Sequence, residues 1–166
     1  MADPVVISVL AFLHIVAAIT WLGADLFVVS VILPSVKTFT PGASLEFLTK
    51  AEPRIVRYFA GTSAATIVFG LGLLFEAFGP DYTQWPASID IGFTLGFVAF
   101  LIAWMITIPS ARKAERFAHL MIQSPQQGPP PPDFMTTMAR LGMSAMLVGV
   151  ILIVTAVFMV VTAFPW

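Results

Sequence analysis

The sequence predicts an all-α integral membrane protein: an up-down four-helix bundle with both termini outside and a short interfacial helix between spans one and two. Three observations predict it. First, 58% of the 166 residues are hydrophobic and only 10% are charged, with a mean hydropathy of +0.94. An ordinary globular chain is about 25% charged. Eight Lys+Arg and nine Asp+Glu cannot clothe a soluble domain, which excludes a soluble globular enzyme. Second, four stretches reach the roughly 20 apolar residues that a spanning helix needs. Third, the Lys and Arg residues are confined to two connections between those stretches.

The whole chain, 1–166, reads as a single membrane domain with spans at about 5–33, 58–78, 89–108 and 140–164. The first span opens without a basic segment, carries Asp3, and has an apolar run too long for a signal peptide. It is therefore expected to be retained. Pro34, Gly79-Pro80, Pro109 and Pro165 stand where helices should end or bend. The loop at 34–57 contains Thr40-Pro41 and a short segment, 43–50, read as the interfacial helix, before Pro53 restarts the chain into span two. Spans two and three are joined by a short turn at 79–88, which makes them antiparallel neighbours. The loop at 109–139 continues span three as a basic amphipathic stretch, 111–122. It then reaches four consecutive prolines at 129–132, a stiff connector into span four.

Orientation follows from charge. Lys37, Lys50, Arg54 and Arg57 precede span two, and Arg112, Lys113, Arg116 and Arg140 lie between spans three and four. The positive-inside rule makes both loops cytoplasmic and both termini external, with Tyr82, Trp85 and Trp166 forming an outer aromatic belt. The expected location is the plasma membrane of a prokaryote. A net charge of −1 offers no surface for nucleic acid, and the absence of cysteine excludes disulfides and thiolate metal sites.

An ionisable side chain inside a span is a functional hypothesis by default. Span one holds two, His14 and Asp25. Trp21 follows His14 by seven positions and Asp25 by eleven, so all three share one helix face, with both within about 20° of His14. His14 lies about nine residues, or roughly 13 Å, from the outer boundary. It reads either as an axial ligand to haem or copper, or as a neutral imidazole bonded to a hydroxyl such as that of Thr155. Asp25, near the cytoplasmic end, is expected to pair with Arg54 or Arg57 as a register-fixing ion pair or as part of a gate. His119 is separated from His14 by roughly 30 Å along the membrane normal, so the two cannot share one metal. Met159 is the sulfur nearest His14 in depth and the expected co-ligand. Met105, Met135, Met138, Met143 and Met146 read as core filler rather than a copper relay. Gly92 and Gly96, with the small residues of spans two and four, indicate close helix packing. No hydrolase triad, intramembrane carboxylate pair or phosphate loop is present, so the one enzyme class left as a candidate is a redox enzyme that borrows a cofactor.

The run Leu13-His14-Ile15-Val16-Ala17-Ala18-Ile19-Thr20-Trp21-Leu22-Gly23 resembles the opening helix of the copper-resistance protein D superfamily, which also takes in the four-helix membrane protoporphyrinogen oxidases. Arg54 and Arg57 before a helix ending Gly70-Leu71-Gly72-Leu73-Leu74, and the Arg140-Leu141 start of span four, are similar too. The resemblance implies a copper-related or b-type haem protein, with His14 as the haem or metal ligand and Trp21 beside it. The chain departs from the oxidase branch at Ser88-Ile89-Asp90-Ile91-Gly92, where that branch has His and Lys. It departs again at Ala139-Arg140-Leu141-Gly142, so protoporphyrinogen oxidation is not expected. Two other readings stand beside the haem or copper one. One is an accessory subunit packed with other membrane subunits of a larger respiratory or metal-dependent complex. The other is a small transporter or channel acting as a homo-oligomer.

Overall fold

A computed structural model describes residues 3–36, 38–81, 83, 85–124 and 129–163, with side chains described as far as Val160. Lys37, Tyr82, Pro165 and Trp166, named above in the basic loop, the aromatic belt and the end of span four, lie outside the described residues. The described chain forms helices α1 (Pro4–Val36), α2 (Pro41–Lys50), α3 (Glu52–Phe78), α4 (Ala87–Gln123) and α5 (Pro132–Ala163). All but α2 are long and apolar enough to cross a membrane.

Each helix starts where local chemistry allows. Asp3 caps α1 by accepting from the Val5 N–H at 2.9 Å, and Thr40 caps α2 by accepting from that of Ala43. Pro4, Pro41, Pro53 and Pro132 occupy first turns, where the missing N–H costs no helical bond. This is why α3 and α5 begin at Glu52 and Pro132, ahead of the apolar runs that start near 58 and 140. Gly79 ends α3 with φ +76°, a conformation that favours glycine.

Pro34 and Pro109 do not end their helices, and the first helix runs past the expected end of span one near 33 to Val36. Each is preceded by a single π turn, Val28–Ile32 in α1 and Ala103–Thr107 in α4. The Leu33 N–H reaches back to the Val28 carbonyl and the Ile108 N–H to that of Ala103, one residue further than in an α-helix. The proline ring would otherwise meet the carbonyl four residues before it, and the wider turn absorbs that conflict. The Ser35 hydroxyl satisfies the Val31 carbonyl at 2.7 Å.

Two helix pairs make up the bundle. α1 packs chiefly on α3, and α4 chiefly on α5. Leu10 lies against Gly72 and His14 against Gly70, while Met159 lies against Gly92 and Thr155 against Gly96. The contacts run in opposite senses along each pair, so the partners are antiparallel. Between the pairs, Trp21 meets Ala99, Ala103, Val148 and Leu152 in the central apolar cluster. An aromatic ladder, Trp85, Phe93, Phe97, Phe100 and Trp104, follows the seam of α3 and α4 with centroids 5.4–6.2 Å apart. Its end rings are tied to α3: Trp104 Nε1 donates to Ser63 Oγ at 3.1 Å, and Trp85 Nε1 to the Gly79 carbonyl at 3.3 Å. At the other end of the bundle, where the basic residues lie, α2 buries Leu48 against Ala114, Ala118 and Phe134.

Candidate functional site

The inward face of α1 carries the site. Ala17, Trp21 and Asp25 are its buried residues, and His14 is half-buried one turn before them. The spacing of seven and eleven thus produces one face, with three side chains that meet three different helices. His14 leans onto α3, Trp21 meets α4 and α5, and Asp25 reaches α5.

His14 Nδ1 lies 2.9 Å from the Thr66 carbonyl oxygen, which can only accept, so Nδ1 carries the proton. This fixes the tautomer and leaves the lone pair on Nε2. The partner is a backbone carbonyl of span two and not the Thr155 hydroxyl, because Thr155 lies at the α4–α5 contact and donates to the Ile151 carbonyl. Gly70 provides the room. A Cβ there would stand 2.9 Å from both Cε1 and Nδ1 of the imidazole.

Met159 does not join His14. Its thioether fills the notch at Gly92 between α4 and α5, whereas His14 occupies the α1–α3 contact. Of the other methionines, Met138 is core filler as expected, packed against two buried clusters, and four are not. Met105, Met135, Met143 and Met146 are exposed on the outside of the bundle, and Met138 is partly buried.

Asp25 is 2% exposed, and its Oδ2 has no hydrogen-bond partner. Arg54 and Arg57 are exposed and do not reach it. Among the described residues the Lys50–Glu46 ion pair and the His119–Glu115 contact are the side-chain pairs of this kind within 4 Å, both between successive turns of one helix. The expected Asp25–arginine pair therefore does not form, because Asp25 points across the bundle toward Gly149 of α5. A Cβ on Gly149 would overlap Oδ2. The indole Nε1 of Trp21, one turn before Asp25, is likewise buried without a partner.

Glu52 is the buried ionisable residue that the sequence reading missed, since span two was started at Tyr58. It is 6% exposed, with both carboxylate oxygens unpartnered. The signal was present in the sequence: Glu52, Val56 and Ser63 fall at i, i+4 and i+11, on one face, and all three are buried.

A single imidazole with its other nitrogen bonded to a backbone carbonyl suits a haem iron, for which one axial nitrogen suffices. Copper needs more donors. Among the described residues no group of three or more His, Cys, Asp or Glu is placed to hold a metal ion. The open groove of about 490 Å³ along the N-terminal turns of α1 includes Ser8, Phe12 and Leu13, on the face opposite His14, and does not extend the site. In comparisons with known proteins, no family model, curated protein or solved structure matches this chain.

Proposed function

We propose that this chain is a multi-pass protein of a prokaryotic plasma membrane, with its basic loops cytoplasmic, that holds one b-type haem through His14 Nε2. The observation that carries the reading is the His14 Nδ1–Thr66 carbonyl bond. Ligand histidines characteristically donate their second ring nitrogen to a carbonyl or carboxylate, which fixes the ring and makes the ligating nitrogen more basic. The Gly70 notch holds the ring against α3 and supports the same reading. Haem held there supplies one-electron redox chemistry. The protein's own part is to fix the imidazole and surround it with helices that exclude water.

The test is the visible spectrum of the protein purified in mild detergent, with iron analysis alongside. A Soret band in the native chain that disappears in His14→Ala supports the proposal. A colourless, iron-free protein expressed with haem in supply overturns it. If that colourless chain travels with larger subunits, the accessory role takes its place.

A further inference from the structure

At the basic end of the bundle, all five helices line a cavity of about 80 Å³. One water needs about 10–15 Å³ of such space, so several fit. Its wall is apolar apart from Asp25, Glu52, Ser63 and Thr107. Both π turns contribute to the wall, through Val28 and Ile32 in α1 and through Ala103 and Thr107 in α4. Leu48 and Phe47 of α2 close it toward the basic loops.

The two carboxyls stand at different depths. His14 is level with Thr66–Gly70 on the antiparallel α3. Asp25, eleven residues further along α1, is thus roughly 10 Å deeper in the bundle than Glu52. Each is more than nine-tenths buried, and each presents unpartnered oxygen to the cavity. Among the described residues no other ionisable side chain from α2, α4 or α5 lines it. Arg112 and Glu115 of α4 act on Glu52 electrostatically from the rim, without an ion pair among the described residues.

Two uncompensated carboxylates in such a place are strongly disfavoured. Either protons or a bound cation must neutralise them. Two carboxyls so far apart in depth are a poor cage for a cation, which needs about six oxygens around it. Waters linking them are a natural path for protons: the unpartnered oxygens of Asp25 and Glu52 are open to them, and the Ser63 and Thr107 hydroxyls, whose protons already go to protein acceptors, can still accept.

We propose that this cavity is a hydrated proton-binding chamber, in which Asp25 and Glu52 take up protons from the side of the basic loops and exchange them through water within it. The step is balanced by the solvent: each carboxyl gains or loses a proton as one water chain gives it or takes it. The proposal is independent of haem at His14.

Infrared difference spectroscopy of the protein in lipid nanodiscs, titrated with pH, tests it. Protonated carboxyl bands should be present at neutral pH and shift in D₂O. One component should be lost in Asp25→Asn and another in Glu52→Gln. Leu48→Ala, which thins the lid, should speed the exchange several-fold. The native protein alone provides a second reading: addition of sodium or potassium should leave the bands unchanged. Bands that vanish as either salt is added would replace the proton with a cation. Absence of protonated carboxyl bands from the native protein, or their persistence in both variants, would overturn the chamber altogether.

Discussion

Gly70 and Gly149 leave space for the two ionisable side chains of α1, and each makes a sharp test of the site. Gly149→Ala drives a methyl into Asp25 Oδ2. Overpacking of this kind costs about 1–3 kcal/mol, more than the helix propensity an alanine returns. Chemical unfolding in detergent should therefore show Gly149→Ala destabilised. The same change made in an Asp25→Ala background should cost much less, and additive effects would place Asp25 elsewhere. Gly70→Ala meets only the rim of a ring that can move. It should displace His14 from the Thr66 carbonyl and reduce haem retention, with a stability loss near the roughly 0.6 kcal/mol typical of hydrogen bonds in membrane bundles. The ratio of Soret absorbance to protein reads the outcome. Sequence reasoning reached His14, Trp21 and Asp25 as one face because a period of 3.6 is intrinsic to the chain. It chose the wrong partners, Thr155 and Arg54 or Arg57, because depth says which residues are level but not which helix lies opposite.

At the scale of elements, the legible features were those set by local rules. Proline at a first turn, the Thr40 cap and glycine at 79 all mark helix ends. The π turns were not legible. Nothing in Val28–Ile32 or Ala103–Thr107 encodes a wider turn except the proline that follows, and proline equally permits a helix end. Helix α2 gives two predictions. Leu48 is 3% exposed within the contact that holds α2 to α4 and α5. Leu48→Ala should cost about 2–5 kcal/mol locally. Hydrogen exchange should then show α2 amides opening while those of α1 keep their protection. On the outer surface of α2, the Lys50 ammonium beside Glu46 holds that carboxyl below its ordinary value near 4.5. A depressed folded pKa means support for α2 that is present above about pH 4.5 and is lost as pH falls through the lower folded value. The protection of the α2 amides, taken relative to their intrinsic exchange rate at each pH, should fall over that acid range in the native chain. In Glu46→Gln it should show no such step.

For the whole molecule, the distribution of charge that identifies a membrane protein also predicts which way it lies. Described residues Lys50, Arg54, Arg57, Arg112, Lys113, Arg116 and Arg140 all belong to the end of the bundle that carries α2, and the turn after Gly79 lies at the other. Inserting that basic end across the membrane would oppose the potential and the anionic inner leaflet at every one of these residues. The absence of cysteine makes the test clean, since a single introduced thiol is the only one in the chain. Ser124, exposed after the last turn of α4, and Pro80, exposed beyond Gly79, mark the two ends without altering the basic set. In intact cells, a membrane-impermeant maleimide should label Pro80→Cys at once and Ser124→Cys only after permeabilisation. The reverse pattern would put the proton chamber and its lid on the outer side and draw its protons from the medium. Equal labelling of both would mean dual insertion, in which neither side is privileged and the charge asymmetry does not govern.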